Sequence, residues 1–370
     1  MRKVISFLII SFFILISCKK EIQRKEVYEI IGVVKNSRNN SIVQLQSNNK
    51  IIDTARIQNE RFLFTGTIRE PINVEIIVEG KEGFKSFWLE NSKIQLISET
   101  ENLKQAIIKG SKTQKLQEKF LLRVDKFDDF QDSLKVLLKD RSLSDKQREF
   151  LLKLKEKARI DELNVTIDFI EDFPNTLIGS STLNDWKILI KEAYGKEMIE
   201  KLFSNMSIET KNSKVGSEIS HFIEVSRDLN IGDKFVDIKL KNIHNKEISL
   251  SDVKATFTLI EFWTSWCAPC RKSNPHLISL YKKYHLNGFE IFGVSIDVFK
   301  RSWLNAVKKD GLLWENVIDT KGLESDVAFT YGVTELPSNV LIDNEGTIIA
   351  RNLRGEKLEQ KLKELFNERE

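Results

Sequence analysis

The stretch Phe262-Trp263-Thr264-Ser265-Trp266-Cys267-Ala268-Pro269-Cys270-Arg271 follows the apolar run Phe257-Thr258-Leu259-Ile260 and leads into a segment of helical character from Ala268 to Tyr284. An apolar strand that turns directly into a helix predicts one step of a layered α/β domain. Pro269 suits the first helical turn, where its missing N–H has no intrahelical partner to lose. At such an N-terminus the unpaired N–H groups and the positive end of the helix dipole stabilise an anion, so the first cysteine of the pair gains thiolate character. Cys267 is the predicted nucleophile. Cys270 lies about one turn further along the same face, within reach of a mixed disulfide formed on Cys267, and is the predicted resolving thiol.

Outward from this motif the alternation continues. Strands are expected at Phe235–Leu240, Thr256–Trp263, Phe289–Asp297, Val317–Ile318, Asn339–Asp343 and Thr347–Asn352, with helices from Ala268 to Tyr284, near Arg301–Asp310 and from Lys357 onward. Asp343-Asn344-Glu345-Gly346 between two apolar runs reads as a hairpin turn, which puts an antiparallel pair at one edge and makes the sheet mixed. Residues 231–370 thus form one α/β domain. Residues 27–110 differ: short β-branched and apolar runs between Asn, Ser and Gly clusters predict a small β-sandwich. In residues 111–230, Leu116, Phe120, Val124, Phe127, Leu134 and Leu138 recur at helical spacing, Ser144 and Gln147 form a capping box, and Pro174 marks a break, so this part reads as a helical segment.

A chain of 370 residues is too long for one core. With 41% hydrophobic and 30% charged residues its composition is globular. A net charge of +4 without a long basic run excludes nucleic-acid partners. The three cysteines, Cys18, Cys267 and Cys270, are too few for a disulfide-stapled scaffold, so their role is chemical. Arg2 and Lys3 precede the apolar stretch Val4 to Ile16, which is short for a membrane span and right for a signal-peptide core; residues 1–17 read as an export signal. An uncleaved anchor helix or an ordinary signal peptide are the other readings. Leu15-Ile16-Ser17-Cys18 resembles the lipobox of bacterial lipoproteins, which implies lipidation of Cys18, a tether over residues 18–26 and domains of the cell envelope facing the periplasm or the exterior.

Trp266-Cys267-Ala268-Pro269-Cys270 resembles the thioredoxin active site, and Thr334-Glu335-Leu336-Pro337-Ser338 resembles the loop bearing that family's cis-proline. Gly66, Glu70-Pro71 and Phe87-Trp88-Leu89-Glu90 resemble a β-rich domain of unknown function that precedes thioredoxin modules in bacterial lipoproteins. Together the chain is most similar to the TlpA/ResA-like disulfide reductases, membrane-tethered members of the thioredoxin superfamily. The resemblance implies a redox disulfide between Cys267 and Cys270, a cis Pro337 packed beside it, and a substrate groove formed by Trp266, Leu336 and Pro337. It further implies the reducing direction, exported protein disulfides as substrates with apocytochrome c among the candidate clients, a membrane thiol-transfer protein as electron donor, and no dissociable cofactor or metal.

Glu261 is a carboxylate in an otherwise apolar strand, so it must be paired or titrate abnormally. A raised pKa suits a proton carrier. Counted back from the motif, it falls where thioredoxins carry a buried acid serving the resolving cysteine, which implies the role of general acid/base for Cys270. The other reading is a structural carboxylate that finds water or a basic partner at the sheet edge. Two positions depart from the relatives: Ser273 stands where ResA-like proteins carry a glutamate, and Gly293 where thioredoxins carry a lysine. Proton transfer is therefore expected to rest on Glu261 and water, with a different pH optimum. Two competing functions remain: a peroxiredoxin-like thiol peroxidase, since Thr264 and Cys267 have the TxxC spacing although Ile260 replaces the proline of that family, and a non-catalytic binding lipoprotein. A zinc site has no support in the spacing of His221, His244, His276 and His285.

Overall fold

The computed structural model describes residues 27–253 and 255–366. The export signal at 1–17, the tether at 18–26 and the lipidation site Cys18 lie outside the described residues. Chain contacts group the molecule into two compact units, one ending at Leu116 and one beginning at Gln117.

The first unit contains β1 (Tyr28–Val34), β2 (Ile42–Ser47), β3 (Lys50–Arg56), β4 (Arg61–Gly66), β5 (Ile72–Val78), β6 (Lys85–Leu89), β7 (Lys93–Ser98) and β8 (Ile107–Lys109). They form two four-stranded sheets, ordered β4-β1-β7-β8 and β3-β2-β5-β6. Ile30, Val34, Phe64 and Leu96 of one sheet and Val43, Leu45, Val74 and Ile76 of the other share one buried cluster. Alternate residues of β1 point into it, as a half-buried strand requires. Asn36, Asn40, Asn48 and Asn59 take positive φ in the connections, a conformation that asparagine tolerates better than most residues.

The second unit opens with helices: α1 (Lys112–Leu137), whose start precedes the unit boundary, α2 (Asp145–Asp172), α3 (Leu177–Tyr194), α4 (Lys196–Ser204), the single turn α5 (Ile208–Lys211) and α6 (Lys214–Val225). The capping box is present: the Ser144 hydroxyl accepts from the Gln147 N–H, and the Gln147 side chain accepts from the Ser144 N–H. Helix α2 ends at Asp172, two residues before Pro174, which cannot supply the N–H that a further turn needs.

The remainder is an α/β layer: β9 (Lys239–Asn242), β10 (Glu247–Ser249), β11 (Phe257–Trp263), α7 (Ala268–Tyr284), β12 (Phe289–Ser295), α8 (Lys300–Asp310), β13 (Glu315–Ile318), α9 (Asp326–Tyr331), β14 (Ser338–Asp343), β15 (Ile348–Arg351) and α10 (Glu356–Leu365). Its seven strands run in the order β10-β9-β13-β12-β11-β14-β15. β11 pairs in parallel with β12 and antiparallel with β14, so the sheet is mixed and the β14–β15 hairpin forms one edge. Side chains of β11 alternate: Leu259 packs with Leu277, Leu280 and Leu358 under α7 and α10, whereas Ile260 and Phe262 pack with Phe292, Val340 and Tyr331 on the opposite face.

One expected strand is corrected. Phe235–Leu240 is not a strand over most of its length: pairing starts at Lys239 and continues to Asn242. The Asp237 carboxylate accepts from the backbone N–H groups of Ile238 and Ser251, and this side-chain capture holds the segment out of a ladder. β8, β10 and α9 are short elements that periodicity does not announce. Phe262 is fully buried at the centre of the sheet; replacing it with Ala should cost about 3–5 kcal/mol in chemical denaturation, and a loss below about 1 kcal/mol would mean that the core collapses into the gap.

Candidate active site

β11 ends at Trp263, and a turn through Thr264, Ser265 and Trp266 delivers Cys267 to the N-cap of α7. Its Sγ accepts a hydrogen bond from the Cys270 N–H at 3.2 Å. The two cysteines are joined in a disulfide, with Pro269 in the first helical turn. Cys267 is 5% exposed and Cys270 1%, whereas Trp266 beside them is 71% exposed. An incoming group therefore meets the rim of the motif through Cys267 rather than Cys270.

The turn is held by groups distant in sequence. Buried Asp297 accepts from the Ser265 N–H and hydroxyl, both at 2.7 Å, and from the Ser295 hydroxyl at 2.9 Å. Arg271 donates to the Ser265 carbonyl at 2.9 Å and forms a two-pronged ion pair with Asp310, which also accepts from Asn274 at 2.7 Å. Burial alone would raise the Asp310 carboxyl, but these donors hold it below the ordinary carboxylate range.

The Leu336–Pro337 peptide bond is cis. It leads directly into β14, where Ser338 pairs with Phe262 and Asn339 with Glu261. Leu336 packs in one apolar cluster with Trp263, Cys267, Cys270 and Trp303, so the proline loop and the cysteines are neighbours. Trp266, Cys267, Cys270, Leu336 and Pro337 are thereby gathered on one end of the sheet, where β11 and α7 meet.

Glu261 lies one layer deeper. Its carboxylate accepts from the Asn339 side-chain amide at 2.9 Å and stands 3.8 Å from the Arg354 guanidinium. Burial pushes its pKa up to about 7, against the opposing pull of Asn339 and Arg354. It faces a cavity of about 120 Å³ that Ser273, His276, Leu277, Arg354 and Leu358 also line. Ser273 stands one turn beyond Cys270 and its hydroxyl donates to the Cys270 carbonyl at 2.8 Å, so the cavity reaches from Glu261 to the helix that carries Cys270. Gly293 is opposite Glu261 on β12; a Cβ there would stand 2.5 Å from the Asn316 Oδ1 and 2.9 Å from the Trp314 Nε1, so no side chain fits.

Residues 231–351 match the AhpC/TSA family, and residues 28–117 match a domain of unknown function, DUF4369. The thiol-disulfide oxidoreductase ResA of Bacillus thuringiensis subsp. konkukian is 33% identical over 136 residues, which cover 37% of this chain and 76% of the relative. The chain belongs to the ResA family of thiol-disulfide oxidoreductases. ResA of Bacillus subtilis is 34% identical over 110 residues, covering 30% of this chain and 60% of that protein. A solved thiol-disulfide oxidoreductase from Bacteroides fragilis is 38% identical, with 36% of this chain and 99% of that one covered and a TM-score of 0.35.

In this oxidoreductase several partners of the motif escape a reading of the sequence. Asp297 closes an apolar strand and Asn339 sits at the head of the apolar run Val340-Leu341-Ile342; a polar residue within each buried run was the available signal. Asp310 and Arg354 carried none, because charged residues in helical and loop contexts are ordinary. Folded Glu261 retains its proton to about pH 7 while the unfolded carboxyl ionises near 4.5. Stability contributed by this group is therefore full below about pH 4.5 and falls as pH rises to about 7. Glu261→Gln should remove that dependence: from about pH 4 to about pH 8 its stability relative to wild type should rise by roughly 3 kcal/mol in denaturant titrations, and a constant difference would contradict the shifted carboxyl.

Proposed function

We propose that this thiol-disulfide oxidoreductase is a lipid-anchored reductase of disulfides in exported proteins, with Cys267 as nucleophile, Cys270 as resolving thiol and Glu261 as the proton acceptor for Cys270. The observation that carries this reading is the Cys267 sulfur at the N-cap of α7, bonded to Cys270 and adjacent to the cis Pro337 loop. A helix N-terminus favours the thiolate over the thiol.

In the reduced enzyme the Cys267 thiolate attacks one sulfur of a substrate disulfide; that S–S bond breaks and the second substrate sulfur leaves as a thiolate. Glu261 takes the proton of Cys270, whose thiolate then attacks the Cys267 sulfur and expels the first substrate sulfur. Two electrons pass to the substrate and the Cys267–Cys270 disulfide remains. A donor dithiol must return the electrons, and a membrane thiol-transfer protein is the donor class that an anchored enzyme would meet. Trp266, Leu336 and Pro337 form the surface against which an extended substrate segment lies, its backbone pairing near the proline loop. Lipidation of Cys18 would hold these domains at the cell envelope, with apocytochrome c one client in reach.

A peroxidase reading takes its support from the AhpC/TSA match and from Thr264, whose hydroxyl is buried without a hydrogen-bond partner. The two readings separate on one preparation. Cys270→Ser should accumulate mixed disulfides with protein substrates through Cys267, visible as reducible adducts on non-reducing gels, and the wild-type pair should equilibrate toward the thioredoxin end of the scale, about −270 mV. A potential toward about −120 mV would reverse the direction, and rapid peroxide consumption without adducts would favour the peroxidase.

A further inference from the structure

The buried acid needs a partner that keeps its ionised form within reach, and the surroundings of Glu261 can be taken element by element. From β12 comes only Gly293, closed off by Asn316 and Trp314. From β14 comes Asn339, neutral. From α7 come Ser273 and His276 across the cavity, with Cys270 one turn before Ser273; His276 points its Nε2 toward Glu359 of α10 at 3.8 Å, and Glu359 also meets Lys363 at 3.3 Å. The loop between β15 and α10 supplies Arg354, 3.8 Å from the Glu261 carboxylate and with no other ion-pair partner among the described residues.

Placement of Arg354 is built into the same hydrogen-bond set that holds the acid. Asn339 donates one amide proton to Glu261 and the other to the Leu353 carbonyl at 2.8 Å, while its Oδ1 accepts from the Leu353 N–H at 3.0 Å. The residue that bonds the carboxylate thus clamps the backbone immediately before Arg354. Gly355 follows with φ +52°, a conformation open to glycine, and turns the chain into α10 so that Arg354 stands at the cavity mouth. The Arg354 side chain is 37% exposed and that of Glu261 6%. One partner is dry and the other wet, so the attraction between them can be screened from outside while the burial of the acid cannot.

We propose that Arg354 is the positioning cation of the Glu261 site, and that its guanidinium at the cavity mouth lowers the pH at which Glu261 accepts the Cys270 proton. The inference rests on the role given to Glu261 above. In chemical terms the closed Gly293 side leaves the ion-pairing duty to the β15–α10 loop, on the other side of Glu261.

The test is the pH–rate profile of disulfide exchange by the purified full chain with reduced enzyme and oxidised insulin-type protein substrate, for wild type, Arg354→Gln, Arg354→Lys and Glu261→Gln, at low and high salt. Arg354→Gln should move the Glu261 inflection upward by roughly half a pH unit while leaving the rate on the alkaline plateau unchanged, and Arg354→Lys should restore part of the shift. High salt should move the wild-type profile toward that of Arg354→Gln and leave the variant where it is. An inflection unmoved by Arg354→Gln, or a rate lowered equally at every pH, would overturn the proposal. Should Glu261→Gln keep the wild-type inflection, the role of Glu261 itself falls; should Glu261→Gln abolish it while Arg354→Gln leaves it in place, only the part given to Arg354 falls.

Discussion

Helix α7 begins with backbone N–H groups that its own carbonyls cannot reach, and the sulfur of Cys267 accepts one of them. That bond needs the sulfur at one point, the end of the central strand, and the surrounding structure supplies it. β11 fixes the height, Asp297 ties down the turn at Ser265, and the Arg271–Asp310 pair locks the first turn of the helix to α8. A donor placed at a helix N-terminus in this way favours a negative sulfur over a neutral one.

How much of this was legible in the sequence depends on whether the signal was local. Helix α7 runs from Ala268 to Tyr284 as read, because Pro269, the cysteine pair and the apolar spacing all speak within one segment. Residues 27–110 likewise form the expected two-sheet β unit, where β1 and β5 at Tyr28–Val34 and Ile72–Val78 are short apolar runs bounded by turn residues. The reading failed at Phe235–Leu240, where a suitable strand pattern lost its backbone to the Asp237 side chain, a competition that β propensity does not contain. Within the site, the cysteines, Pro337 and Glu261 lay in recognisable contexts. Asp297 and Asn339 showed only as polar residues in buried runs, and Asp310 and Arg354 not at all, because each reaches the site through strand register, a helix end or a loop excursion, and these are tertiary facts.

Glu261 shows what the alternation of a buried strand costs when one residue is polar. Leu259 and Glu261 share the face under α7, one among leucines and the other beside a small cavity, and only the amide of Asn339 and the tip of Arg354 separate the carboxylate from an unpaired burial. The two departures from the relatives now have physical content. Ser273 is spent on the Cys270 carbonyl, and Gly293 is a close approach filled by the side chains of the next strand.

The helices ahead of the α/β layer are bound to it by more than the connecting chain. Phe222 of α6 meets Phe329 of α9 edge to face, with ring centroids 4.9 Å apart. Lys187 of α3, its side chain 3% exposed, stretches between those two rings to reach Glu324 at 3.0 Å. A chain truncated just before Ile231 would strip Phe329 of its ring partner and bare an apolar scar a few residues upstream of the proline loop. For expression, crystallisation or protease mapping, the natural seam of this molecule lies near Leu116, and the oxidoreductase travels with its helices.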